Sequence, residues 1–172
     1  SGWWRGSVAC GNLGRGCGGA ASALRMECMV SSRPATDTVD AERVSFDEML
    51  RRSDVISLHC PLTDTTVGLF GEAEFGKMKS GAILINTARG GLVDSAALVA
   101  ALCNGDIAAA ALDVLPEEPP VGGDPLLDYD GPNLLITPHI AWASNEARQA
   151  SVDQLTACID AFLADKALNR VV

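Results

Sequence analysis

Positive charge is what this sequence has least of: 13 Lys and Arg stand against 22 Asp and Glu, for a net charge of −9. Binding a phosphate backbone requires a cationic surface, and the one local basic cluster, Arg51-Arg52, is too small to provide it, which excludes nucleic acid as a partner. Long apolar runs are missing too. No stretch approaches the roughly 20 residues that cross a bilayer, and Ser1-Gly2-Trp3-Trp4-Arg5 lacks the apolar region of a signal peptide, so no membrane role is expected. There is no C-x-x-C pair. Cys10, Cys17, Cys28, Cys60, Cys103 and Cys158 are spread singly, so neither a zinc site nor a redox pair is indicated. Four of these six lie in or beside predicted strands and tight turns and read as small apolar fillers, so reduced thiols and a cytoplasmic location are expected.

What the chain does have is length and regular alternation. With 172 residues, 48% of them hydrophobic, it can bury roughly two-thirds of its unfolded surface, enough for one compact domain. The pattern predicts a strand over Gly6 to Cys10, a helix from Leu13 to Leu24, a strand over Glu27 to Ser31 and a helix over Phe46 to Arg52. Next come a strand from Val55 to Cys60, a helix over Glu72 to Met78 and a strand at 82 to 86. Asp94 then caps a helix that runs to Cys103 and stops at Asn104-Gly105. A fifth strand over Ala109 to Asp113 leads into Pro116 to Pro132, whose prolines and glycines predict a long loop. A sixth strand spans Leu134 to Thr137. Ser144 then caps a final helix whose Val152, Leu155, Ile159 and Phe162 recur at intervals of three and four. Short apolar runs separated by helices imply right-handed crossovers and an α/β, doubly wound parallel sheet, of which the Rossmann-like dinucleotide-binding domain is the best-known form.

At one end of that fold, Ala9-Cys10-Gly11-Asn12-Leu13-Gly14 matches G-x-G-x-x-G except that Ala9 replaces the first glycine. In the full motif the glycines let backbone amides approach a pyrophosphate at the helix N-terminus, which makes Gly11, Asn12, Leu13 and Gly14 candidate cofactor contacts. A glycine-rich turn of purely structural purpose is the competing reading. A ribose-reading carboxylate is expected about 20 positions on, yet the chain has Ser31-Ser32-Arg33 there. With no carboxylate and an adjacent arginine, Ser32 and Arg33 point to a 2′-phosphate, so NADP(H) is preferred and NAD(H) is second. Against binding, Gly16, Gly18 and Gly19 fall inside the predicted helix at a cost of about 1 kcal/mol each.

At the other end, Arg89, Glu118 and His139 each follow one of the apolar runs by a few positions, where an open sheet places its ligand crevice. Ile85-Asn86-Thr87-Ala88-Arg89-Gly90-Gly91-Leu92-Val93-Asp94 resembles the arginine motif of the D-isomer-specific 2-hydroxyacid dehydrogenases. Ala111-Leu112-Asp113-Val114-Leu115-Pro116-Glu117-Glu118-Pro119 resembles their glutamate motif, and Thr137-Pro138-His139-Ile140-Ala141-Trp142-Ala143-Ser144 their histidine motif. Leu58-His59-Cys60-Pro61-Leu62-Thr63 adds a further match. The Trp142-Ala143-Ser144 version is similar to the glycerate dehydrogenase and hydroxypyruvate or glyoxylate reductase branch.

The resemblance implies hydride transfer between a nicotinamide and a small 2-oxo or 2-hydroxy acid such as hydroxypyruvate or glyoxylate. His139 would donate the proton, Glu118 would fix its tautomer, and Arg89 would hold the substrate carboxylate through two donors in a fixed fork. Asp113 matches a residue near the nicotinamide amide, and Trp142 would line the substrate pocket. Cys60, Pro61, Thr87, Ala88 and His139 would also border the cofactor. Taken singly, Arg89 equally suits an ion pair with Asp94, and Glu117-Glu118 a solvated loop; the preserved order of three motifs favours chemistry. His59 ends a strand and reads as structural.

The same resemblance implies a homodimer and a separate substrate domain; the substrate domain is expected to lie outside these residues, which leaves the dimer an expectation of the family alone. Residues 1–172 are expected to form the dinucleotide-binding domain alone, with residues 1–5 a remnant of a preceding arm. Two functions remain: an oxidoreductase or its cofactor-binding part, and a non-catalytic nucleotide-binding or interaction module without its substrate domain.

Overall fold

The computed structural model describes residues 2–9, 11–31 and 43–169. The chain divides into two units, residues 1–138 and 139–172. The first holds one parallel sheet in the order β2-β1-β3-β4-β5-β6. Its strands are β1 (Trp4–Val8), β2 (Glu27–Ser31), β3 (Val55–Leu58), β4 (Ile83–Asn86), β5 (Ala109–Leu112) and β6 (Leu134–Ile136). The helices of this unit are α1 (Asn12–Ala23), α2 (Phe46–Arg52), α3 (Glu72–Phe75), α4 (Ser95–Asn104) and α5 (Pro125–Asp128). The α/β doubly wound reading holds. No helix among the described residues is long and apolar enough to cross a membrane.

Strand register separates two faces. Gly6 and Val8 share one with Met29, Ile56, Leu58, Leu84, Ala110 and Leu112, and most of these side chains are buried. A Cβ on Gly6 would lie 2.5 Å from the Met49 sulfur, so α2 lies on this face and needs a glycine beneath it. Met49, Leu50, Phe70, Phe75, Leu92 and Leu98 are fully buried, each worth about 1.5–3 kcal/mol. Arg5 and Ser7 share the opposite face with Val30, Val55, Ser57, Ile83 and Ile85. There α1 packs, since a Cβ on Gly18 would lie 3.9 Å from the Arg5 guanidinium.

Local chemistry explains the element ends. Ser45 caps α2 by accepting from the Glu48 amide, Asp47 and Glu48 complement its N-terminus, and Arg51 and Arg52 its C-terminus. That accounts for the only basic cluster: Arg52 also lies 4.5 Å over the Trp4 ring. Asp94 caps α4 and Gly105 ends it at φ 75°, as the sequence predicts.

Several boundaries differ from expectation. The first strand covers Trp4–Val8 rather than Gly6 to Cys10, because Trp4 pairs with Glu27 and Ala9 turns left-handed; Trp4 and Arg5 are therefore strand residues. The third strand stops at Leu58, and α3 stops at Phe75, after which the chain tightens into turns closed by Lys77 N to Glu74 O and Met78 N to Phe75 O. The proline-rich loop contains α5, with Asp124 as cap, Pro125 in the first turn and Leu126 buried as its anchor. Of the five cysteines described, only Cys60 is a buried apolar filler; Cys158 is partly buried, and Cys17, Cys28 and Cys103 are exposed.

The second unit consists of the segment from His139 and one helix, α6 (Asn145–Leu163), capped by Ser144 through the Ala147 amide. Its apolar stripe, Val152, Leu155, Ile159 and Phe162, is at least half exposed at every position.

Candidate active site

Reading outward from β1 and β3, the sheet grows in opposite directions, and such a switch point leaves a crevice at the carboxyl ends of the strands. Beyond β1, Ala9 adopts φ 71° while the Ser7 hydroxyl donates to its carbonyl at 2.8 Å. The left-handed turn that a glycine would make freely is thus made by an alanine. A Cβ on Gly14 would lie 2.9 Å from that same carbonyl oxygen, so α1 can approach β1 only with glycine there. Gly11 is the N-cap of α1 and supplies no side chain, which leaves the first-turn amides for another acceptor. Asn12 accepts from Arg15, and Leu13 is 78% exposed.

Beyond β3, the chain from His59 to Thr66 is held by one hydroxyl: Thr66 Oγ1 donates to the Pro61 carbonyl at 2.8 Å and accepts from the Thr63 amide at 2.7 Å. Cys60 in this segment is buried. His59 is tied into the sheet beneath this segment. Its Nε2 lies 3.0 Å from Arg5 Nη2 and 2.9 Å from Ser57 Oγ, and burial, then the Arg5 charge, hold the imidazole below its ordinary pKa.

Beyond β4, Asn86 organises the turn that carries Arg89. Its amide, 1% exposed, donates to the Arg89 carbonyl at 2.9 Å and accepts from the Ala88 amide at 3.0 Å. Arg89 itself is exposed, and its Nη1 donates to the Ala88 carbonyl at 2.6 Å. Asp94 is occupied as a helix cap, so the alternative Arg89–Asp94 pair does not form; among the described residues no carboxylate pairs with Arg89. Leu13, His59, Cys60, Pro61, Leu62, Thr87, Ala88 and Arg89 together line a cleft of about 680 Å³.

The arginine and glutamate motifs also meet. A Cβ on Gly90 would fall 2.0 Å from the Leu115 carbonyl carbon, and the Leu115 amide donates to Glu118 Oε1 at 2.9 Å. Asp113 is buried at the end of β5, where the Thr137 hydroxyl donates to its carboxylate. In the second unit His139 has φ 52°, and the Trp142 indole donates to its carbonyl at 2.8 Å, leaving Trp142 60% exposed. Ser32 and Arg33, the expected ribose readers, lie outside the described residues.

Asn86, Thr66 and His59 went unrecognised in the sequence as organising residues. A polar residue closing an apolar strand, as Asn86 does, is the signal that was available.

The family model for the D-isomer specific 2-hydroxyacid dehydrogenase, NAD binding domain, matches residues 2–141. The chain belongs to this family. Over 167 residues it is 47% identical to the glycerate dehydrogenase of Methylorubrum extorquens, covering 96% of this chain and 52% of that protein. The fold superposes on a D-lactate dehydrogenase with NAD+ from Lactobacillus jensenii at TM-score 0.85 and 30% identity, over 99% of this chain and 55% of that one. An acyclic imino acid reductase in complex with NADPH and D-Arg superposes equally well, at TM-score 0.85 and 30% identity, over 99% and 54%. The chain therefore spans about half the length of the relatives it matches.

Proposed function

We propose that residues 1–172 form the cofactor half of an oxidoreductase that moves a hydride between a nicotinamide dinucleotide and a small 2-oxo or 2-hydroxy acid. The observation that carries this reading is the cleft at the switch point, where Leu13 in the uncapped first turn of α1 and an Arg89 without a carboxylate partner among the described residues border one space. The residues fit a dinucleotide: free first-turn amides suit a pyrophosphate, and Gly14 removes the side chain that would hold α1 off the strand.

Bound, the cofactor supplies the hydride. Arg89 would grip the substrate carboxylate through two donors and polarise the adjacent carbonyl, a task for which its planar fork is better suited than lysine. The carbonyl oxygen must gain a proton as carbon gains hydride. By motif, His139 would donate it, Glu118 would hold the imidazole tautomer, Asp113 would face the nicotinamide amide and Trp142 would line the substrate pocket. The similarity to a glycerate dehydrogenase favours hydroxypyruvate as the 2-oxo acid. NADP(H) is the preferred cofactor in this reading because Ser31-Ser32-Arg33 carries no carboxylate to reject a 2′-phosphate. Cytoplasmic location is part of the same reading.

The test compares this chain with its Arg89→Ala variant, measuring NADPH oxidation with hydroxypyruvate alongside dinucleotide binding. Binding should survive the substitution and turnover should fall about 100-fold or more, the scale of losing a preorganised charge-stabilising donor. Equal turnover in both would defeat the catalytic reading. Binding without turnover in either would favour a non-catalytic nucleotide-binding module.

A further inference from the structure

Arg5 is an unusual residue for the middle of a parallel sheet. It is 6% exposed, it lies on β1 between β2 and β3, and no carboxylate pairs with it among the described residues. Its one hydrogen bond runs from Nη2 to Nε2 of His59, on the strand face it shares with Val55 and Ser57. A guanidinium has donors only, so the Nε2 atom that receives this bond carries the lone pair and not a proton. The Ser57 hydroxyl converges on the same nitrogen at 2.9 Å and must donate to it as well. A neutral imidazole with an unprotonated Nε2 carries its proton on Nδ1. That second nitrogen has no partner among the described residues, and the ring borders the cleft beside Cys60 and Pro61.

We propose that Arg5 acts as a positioning residue that locks His59 in the Nδ1–H form, committing that N–H as a hydrogen-bond donor to an acceptor oxygen of the dinucleotide in the cleft. This rests on the cofactor reading given above. Two features make the lock strong. Protonating Nε2 would put an N–H against the guanidinium's own N–H and a second positive charge beside it. Burial of the ring opposes the charged form independently, in the same direction. An Nδ1–H fixed in this way costs the ligand nothing in reorganisation, whereas a histidine free to exchange tautomers would offer a donor only part of the time.

The chain has 2 histidines, so a nitrogen-15 NMR spectrum of the imidazoles reports His59 directly once His139 is assigned. At neutral pH the wild-type chain should show protonated Nδ1 and acceptor-type Nε2 at His59. Adding NADPH, or NADH in a second titration, should shift His59 Nδ1 together with the Gly11 and Gly14 amides. Arg5→Met should give mixed tautomers and weaken dinucleotide binding about fivefold, the scale of one hydrogen bond, while Arg5→Lys, which restores a donor, should recover the Nδ1–H form. The wild-type spectrum decides the tautomer even if Arg5→Met does not fold. An Nε2–H tautomer in the wild type overturns the proposal. So does a His59 signal that stays still while the glycine amides move, which leaves the cofactor reading intact. If neither group moves, the cofactor reading fails and this inference fails with it.

Discussion

Replacing Asn86 separates the two hydrogen bonds that hold the Arg89 turn. In Asn86→Asp the acceptor for the Ala88 amide survives, but the donor to the Arg89 carbonyl becomes a carboxylate oxygen facing that carbonyl at a site 1% exposed. A buried polar group left without its partner costs about 1–3 kcal/mol, and an ionised one more. The introduced carboxyl therefore has a folded-state pKa raised above the unfolded value of about 3.9. When protonated it can donate to the Arg89 carbonyl, so the variant should match wild type at pH values below about 4. The difference should then open as pH rises, reaching about 3 kcal/mol at neutral pH once the unfolded chain ionises and the folded one resists. For a chain of this length that is a fall in Tm of about 6–12 °C. Asn86→Ala, losing both bonds, should be destabilised by a similar amount at every pH. Thermal melts of the three proteins across that range, each compared with wild type at the same pH, provide the measurement. Parallel losses for both variants, or an Asn86→Asp protein within about 0.5 kcal/mol of wild type at neutral pH, would refute the assigned donor role.

Gly90→Ala should destabilise the protein by about 3 kcal/mol, because the added methyl meets the Leu115–Pro116 backbone, which cannot yield as a side chain can; a Tm within 2 °C of wild type would contradict the close approach. Ala9→Gly should stabilise by about 0.5–1 kcal/mol, since relief of a left-handed alanine outweighs the added freedom of the unfolded chain, and a lower urea midpoint would count against it. The Lys79 ammonium, then the Trp4 amide, hold the Asp54 carboxyl below its usual pKa, so its contribution is present above the unfolded value and lost as pH falls through the folded one. Asp54→Asn should accordingly cost about 1 kcal/mol at neutral pH and almost nothing in acid; a pH-independent cost would show that the charge is irrelevant.

Much of the site was legible because its residues lie at strand ends. Once the apolar runs are recognised as parallel strands, Gly11, Cys60 and Arg89 must follow the carboxyl ends of their strands and gather on one edge, whatever the packing details. Boundary errors arose where backbone geometry overrode composition: Ala9 carries no glycine signature yet turns left-handed, and Pro125 opens a helix inside a segment whose prolines suggest a loop.

Composition and spacing by themselves determined the parallel sheet, the caps at Asp94 and Ser144, and the order of the three motifs, since these depend on neighbours a few positions apart. The tertiary structure alone decided that Arg5 reaches His59 across 54 positions, that Gly90 abuts Leu115, and that the α6 stripe is exposed. Hydrophobic periodicity says which side of an element avoids water. It does not say what, if anything, covers that side, nor which two distant side chains must share a buried space and satisfy each other's hydrogen bonds.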